Sequence, residues 1–159
     1  MTTAETFIHL LWRGDLCHFY FLLYDLLLLK FPYMQVLIVE RSVEVITRLE
    51  EILSEPGRGW IIRKASSYEE ATTVIGENIP DVILLDISLP ANGSISLMED
   101  IKKAGFQTTT IILSIHDDQF LNTQSKALGA EFYFDKYRDF DKIPETLSLI
   151  ASKRIYTVQ

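Results

Sequence analysis

The stretch 79-IPDVILLDISLP-90 decides the fold. Val82 to Leu85 are four apolar residues in a row, two of them β-branched, bounded by Pro80 and Pro90. A strand with one wet face alternates apolar and polar residues, whereas a strand buried on both faces reads as a continuous apolar run. The segment therefore predicts a central strand within 79–87, and the run ends on a carboxylate, Asp86.

Working outward, the same grammar repeats. VLIVE (36–40) reads as a buried strand, followed by a helix with Ser42 as N-cap and Leu49 on its apolar face, ending before Pro56-Gly57 and Gly59. GWIIRKA (59–65) reads as a more exposed strand. Ser67 with Glu70 three residues on is a capping-box pattern opening a helix to about Glu77. Past the loop signals Pro90, Asn92 and Gly93, residues Ile95, Leu97, Met98 and Ile101 line the buried side of a third helix, closed near Gly105. TIILSI (110–115) is a fourth strand. His116-Asp117-Asp118 opens a helix to about Leu128, with Gly129 as its C-cap. EFYFDK (131–136) is a fifth strand, and a last helix spans about 141–152. Five strand–helix units in alternation predict an α/β domain, a doubly wound parallel sheet with helices on both faces.

Composition divides the chain in two. Of 159 residues 48% are hydrophobic, and the formal net charge is −7. Residues 1–33 hold 21 of the hydrophobic residues and 8 of the aromatics, with two basic against three acidic side chains; residues 34–159 hold 13 basic against 19 acidic. The expected domains are thus an apolar N-terminal extension, 1–33, and a folded domain, 34–159. The core of the extension, LCHFYFLLYDLLLLKFP (16–32), has 14 residues between Asp15 and Lys30, broken by Asp25. A membrane span needs roughly 20 apolar residues, and neither a basic start nor an A-x-A cleavage pattern marks a signal peptide. Three readings stand: an extra helix packed on the domain or on a second copy, an interfacial anchor, or translated sequence upstream of a true start at Met34. The last is favoured, because Met34 stands just before the first strand, with only Gln35 between them.

The acidic balance argues against direct nucleic-acid binding, which needs Lys and Arg against phosphates, and against docking on anionic lipid. One cysteine, Cys17, excludes an internal disulfide framework and fits the cytoplasm. Three histidines and that cysteine, scattered along the chain, do not spell a zinc site.

In open parallel sheets chemistry sits at the carboxyl ends of the strands. That rule selects Glu40 and Arg41, Asp86 to Ser88, Ser114, and Lys136. A carboxylate at the lip of a sheet can act as a nucleophile toward an activated phosphoryl group. Phosphoryl transfer is catalysed by positioning and charge neutralisation. Mg2+ on one or two carboxylates supplies part of that charge, Lys136 another part, and the Ser114 hydroxyl a hydrogen bond.

The blocks VLIVE-R-S, PDVILLDISLP, IILS and GAEFYFDK, in this order, resemble the signature of response-regulator receiver domains of two-component signalling, over about 34–152. The resemblance implies a flavodoxin-like five-stranded parallel sheet in the order 2-1-3-4-5. It implies a phosphoprotein whose acceptor is Asp86, phosphorylated by a histidine kinase or phosphotransfer protein and catalysing its own phosphorylation and dephosphorylation, rather than an enzyme with a separate substrate. By position, Glu40, Asp86 and the Ser88 backbone carbonyl match the Mg2+ ligands. Ser114 and Tyr133 match the switch pair, Lys136 the phosphate-contacting lysine, and Pro90 the proline four residues after the acceptor. Two positions depart from the pattern. Arg41 stands where the second acid of the metal pair is usual, so the claim on Mg2+ is weakened. Tyr137 stands where a proline with a cis bond is usual, and a non-proline bond favours trans. The tail, EFYFDK-YRDFDKIPETL, is similar to that of a small-receiver subgroup without this proline.

Only KRIYTVQ follows the last helix, so the expected protein is a stand-alone receiver acting on a downstream protein target. The alternative is a degenerate receiver, a phosphorylation-independent binding module, motivated by Arg41. A haloacid-dehalogenase-type phosphatase also uses an aspartate after a parallel strand, but it wants a second Asp where this chain has Ser88.

Overall fold

The computed structural model describes residues 33–54, 59–115 and 119–157, with side chains described as far as 154. The chain divides at Pro32–Tyr33, and all readings of the apolar extension lie outside the described residues, as does the helix opening expected at His116 to Asp118.

Among the described residues five strands and five α-helices alternate: β1 (Met34–Val39), α1 (Val43–Leu53), β2 (Trp60–Ala65), α2 (Tyr68–Glu77), β3 (Val82–Asp86), α3 (Gly93–Ala104), β4 (Thr109–Ser114), α4 (Gln119–Leu128), β5 (Ala130–Asp135) and α5 (Lys142–Thr157), with a short 3-10 turn at Pro90–Asn92 before α3. The strands form one sheet, ordered β2-β1-β3-β4-β5, and every neighbouring pair is parallel. This is the doubly wound, flavodoxin-like architecture with order 2-1-3-4-5. The strands begin or end one to three residues from the expected positions; the largest difference is β3, which starts at Val82. Asp81 instead anchors the strand ends. Its carboxylate accepts from Gln35 N–H at 2.7 Å, its N–H donates to the Gln35 carbonyl, and its carbonyl accepts from Thr109 N–H.

All five residues of β3 are buried. Alternate residues feed two cores. Leu37, Val39, Ile83, Leu85 and Ile112 pack against α2 and α3 through Ala71, Ile75, Ile95, Met98 and Ile101. Val36, Ile38, Leu84, Ile111 and Leu113 pack against α1 and α5 through Leu49, Leu53, Ile143 and Leu147. The continuous apolar run of 82–85 thus has a physical cause: its even and odd members face different helical layers.

Local signals set the helix ends. Ser42 and Ser67 accept from Val45 and Glu70 N–H, as N-caps do. The Glu70 carboxylate, however, reaches back to Ser66, taking its N–H at 2.7 Å and its hydroxyl at 2.8 Å, one residue before the position of a standard capping box. Gly105 ends α3 with φ +68°. Between β3 and α3, Ala91 (φ +53°) and Asn92 (φ +58°) both lie in the left-handed region. That conformation costs a non-glycine residue roughly 1–2 kcal/mol.

Candidate functional site

The sheet register builds the site. Val39 pairs with Leu85 in the β1–β3 ladder, so one step further sets Glu40 beside Asp86. Both share parity with Ile38 and Leu84, so both carboxylates fall on the α1–α5 side of the sheet. On β5, Phe132 and Phe134 pack in that same core, and Lys136 continues their parity. Its N–H donates to the Ser114 carbonyl at 2.8 Å, which carries β5 pairing past its last residue.

The three side chains meet. Lys136 Nζ lies 2.5 Å from Glu40 Oε2 and 2.9 Å from Asp86 Oδ1. Glu40, Asp86 and Lys136 are 2%, 3% and 4% exposed, so this is a buried triad whose two negative charges face one positive. Isolated buried charge is expensive, and pairing is what makes it tolerable. Glu40 Oε1 accepts from Arg41 and Ser42 N–H at 2.9 Å each, where the chain turns into α1. Glu40 Oε2 is buried and, ion pair aside, takes no hydrogen bond among the described residues. Asp86 Oδ1 accepts from both the N–H (2.9 Å) and the hydroxyl (2.7 Å) of Ser88. With the lysine, three donors hold Oδ1, leaving Oδ2 without a hydrogen bond among the described residues.

These groups open on a cavity of about 360 Å³ lined by Glu40, Arg41, Asp86, Ser88, Lys136 and Tyr137 among others. Arg41 is exposed and makes no ion pair among the described residues. Tyr137, 69% exposed, is the outer wall. No described peptide bond is cis, so Lys136–Tyr137 is trans, as expected without proline. The turn after it is held by the Asp135 carboxylate, which accepts from Tyr137 and Arg138 N–H at 2.8 and 3.0 Å.

Ser114 and Tyr133 are not among the residues that line this cavity, although Ser114 lies at the same end of the sheet, beside the lining residue Ile115. The register pairs Asp86 with Leu113, so Ser114 falls one residue further along, on the parity of Ile112. Tyr133 pairs with Ile112 and packs against the α2–α3 core. Its hydroxyl donates to the Asn122 carbonyl at 2.9 Å and shares a 2.6 Å hydrogen bond with Ser125. Burial pushes the phenol above its ordinary value, with Ser125 offsetting part of the rise, so the hydroxyl keeps its proton near neutrality. Asn122 and Ser125 were not among the sequence candidates, since a polar pair on a helix reads as a solvated face.

Ser94 was missed for a similar reason. It is fully buried at the first turn of α3. Its hydroxyl donates to the carbonyls of Asp86 (2.7 Å) and Ile87 (3.0 Å) and accepts from Leu89 N–H (3.3 Å), so one side chain clamps the loop that carries the acceptor. Ser94→Ala leaves these backbone groups buried without that partner and is expected to destabilise by about 1–3 kcal/mol. Urea unfolding measures this; a change under about 0.5 kcal/mol would contradict the clamp.

The donor set suits a hard divalent cation, which binds oxygen ligands. Glu40 Oε2, buried and without a hydrogen bond among the described residues, and the Asp86 carboxylate offer such oxygens. No group of three or more His, Cys, Asp or Glu that could hold a metal exists among the described residues, and Arg41 adds an opposing charge. The residues therefore fit Mg2+ with two carboxylates rather than three.

A buried carboxylate pair at the ends of β1 and β3, bridged by a lysine after β5 on a 2-1-3-4-5 sheet, defines the receiver class. The family model for the response regulator receiver domain matches residues 36–148, and the chain belongs to that family. Among curated relatives, the transcriptional regulatory protein DegU of Brevibacillus brevis is 27% identical over 108 residues, 68% of this chain and 46% of the relative. Sporulation initiation phosphotransferase F of Bacillus subtilis is 25% identical over 113 residues, 71% of this chain and 90% of the relative. The chain spans about half the length of the curated relatives it matches first. In fold it is similar to a response regulator from Thermotoga maritima, with a TM-score of 0.67, 23% identity, and coverage of 76% of this chain and 99% of that one. The N-terminal domain of an uncharacterized protein from Wolinella succinogenes gives a TM-score of 0.71 at 24% identity, covering 78% and 98%. Among the described residues no helix is long and apolar enough to cross a membrane.

Proposed function

We propose that this chain is a single-domain cytoplasmic response regulator that accepts a phosphoryl group on Asp86 from a histidine kinase or phosphotransfer protein and signals by protein–protein contact. The observation that carries the reading is the Asp86 carboxylate, held at the cavity by Ser88 and by Lys136 Nζ at 2.9 Å. With Oδ1 engaged by three donors, Oδ2 is the nucleophile. The Oδ2–P bond forms as the donor's bond to phosphorus breaks, and the leaving group keeps the electron pair. Lys136, already fixed by Glu40, stays against the new phosphoryl oxygens. Mg2+, held by Glu40, Asp86 and the Ser88 carbonyl, would supply further charge neutralisation. The same pocket would catalyse loss of the phosphoryl group to water.

Ser114 and Tyr133 remain the proposed switch. The Ser114 hydroxyl, at the end of β4, would turn toward the phosphoryl group. Tyr133, bonded to Asn122 and Ser125, would carry the change to α4. Output then leaves through the β4–β5 face and its helices toward a protein target. Sporulation initiation phosphotransferase F supports a receiver-only reading, because the match covers 90% of its length.

One observation favours a second reading, a degenerate receiver that binds partners without phosphorylation: Arg41 lines the cavity. Incubation with acetyl phosphate or a phosphorylated histidine kinase, followed by intact mass measurement, separates the two. Gain of one phosphoryl group supports the acceptor; no gain from either donor supports the binding module.

A further inference from the structure

We infer that the Arg41 guanidinium binds an oxygen of the phosphoryl group at Asp86, supplying without a divalent cation part of the positive charge that the transfer needs. The inference rests on the reading of Asp86 as acceptor. Four charged side chains line the cavity: Glu40, Asp86, Lys136 and Arg41. Their formal charges cancel. Yet the two pairs are not equivalent, because Lys136 is committed to both carboxylates at 2.5 and 2.9 Å. Arg41 has no such commitment among the described residues and is exposed. The charge left to meet an incoming anion is therefore the arginine's.

Its root is fixed where it is needed. Glu40 Oε1 holds the N–H groups of Arg41 and Ser42, each at 2.9 Å, so the backbone at Arg41 is tied to the acceptor's own ion-paired neighbour. A cavity of about 360 Å³ accommodates a phosphoryl group together with the guanidinium. The planar fork of arginine presents two parallel N–H donors that match two phosphoryl oxygens. A divalent cation in the same cavity meets that charge as repulsion, so arginine and metal are alternatives for one task.

With acetyl phosphate, an Asp86 carboxylate oxygen bonds to phosphorus and the phosphorus–oxygen bond to the acetyl group breaks. Acetate leaves with the electron pair. No proton moves and the charge is equal on both sides, so no co-reactant is needed.

The test compares wild type, Arg41→Ala and Arg41→Lys in Mg2+ and in EDTA, with inorganic phosphate binding as an independent readout. Wild type is expected to label in EDTA within about tenfold of its rate in Mg2+, and Arg41→Ala to lose about 10- to 100-fold in EDTA, with the loss repaired by Mg2+. Arg41→Lys, a point charge without the fork, should fall between them. Titrating inorganic phosphate into metal-free wild type should shift the Arg41 Nε–H resonance and change the emission of Tyr137, and Arg41→Ala should abolish the Tyr137 response. Equal sensitivity of wild type and Arg41→Ala to EDTA, or an Arg41 signal unmoved by phosphate, overturns the inference. Wild type that binds phosphate at Arg41 but labels in neither condition overturns the acceptor reading instead, leaving the anion site. Arg41 is exposed, so its replacement leaves the core intact.

Discussion

Lys136→Met is expected to cost about 3–5 kcal/mol of folding stability and to slow labelling of Asp86 by about 100-fold or more. The substitution removes the one positive charge in contact with two buried carboxylates, at 2.5 and 2.9 Å. Glu40 and Asp86 would be left side by side, 2% and 3% exposed, with backbone and Ser88 donors but no counter-charge. The penalty is the uncompensated burial of charge rather than the intrinsic worth of the ion pair. Glu40→Gln in the same chain should recover part of the loss, because one of the two repelling charges is then gone. Urea unfolding of the single and double variants checks this. A single-variant cost below about 1 kcal/mol would mean that the triad is hydrated and the description of the site is wrong.

Leu84→Ala is expected to cost about 2–5 kcal/mol. Leu84 is fully buried in the middle strand of the sheet and packs in the core shared with α1 and α5. A cavity there is bounded by the neighbouring strands and by α1 and α5, so collapse around it is restricted. The contrasting site is Ile61 on the edge strand β2, 44% exposed, where alanine should change stability by about 0.5 kcal/mol or less. Thermal or urea unfolding of both variants tests the claim that 82–85 is the keystone of the sheet; equal costs at the two positions would contradict it.

That keystone was legible because a double-faced strand leaves an unmistakable trace, an apolar run closed by Asp86 and bounded by prolines. The strand order and the meeting of Glu40, Asp86 and Lys136 followed from the four blocks. The carboxyl-end rule and the register Val39–Leu85 explain that meeting physically. What the sequence did not disclose is side-chain traffic over longer reach. Ser94 spells a helix start and nothing more; only the folded loop brings its hydroxyl to three backbone groups of the acceptor turn. Tyr133 matched a switch position by resemblance alone, and its bonds to Asn122 and Ser125 depend on how α4 lies against β5. The strained pair Ala91–Asn92 was read only as part of a loop, since alanine carries no signal for a left-handed conformation.

Arg41 is the residue on which the chemistry turns. It changes the formal charge of the cavity lining to zero, and it offers a guanidinium where the resemblance places an acid. Phosphoryl acceptance and metal dependence thereby become separable questions, the first belonging to Asp86 and the second to Arg41.

The most direct measurement is therefore the position of the label. Wild type and Asp86→Asn are incubated with acetyl phosphate and Mg2+, and in parallel with a phosphorylated histidine kinase, and the phosphoryl group is located by peptide mapping. One hydroxylamine-sensitive phosphoryl group on the peptide containing 79–90, absent from Asp86→Asn, is the predicted result. Labelling that survives in Asp86→Asn, or a wild-type chain that takes the phosphoryl group from neither donor, would contradict the account.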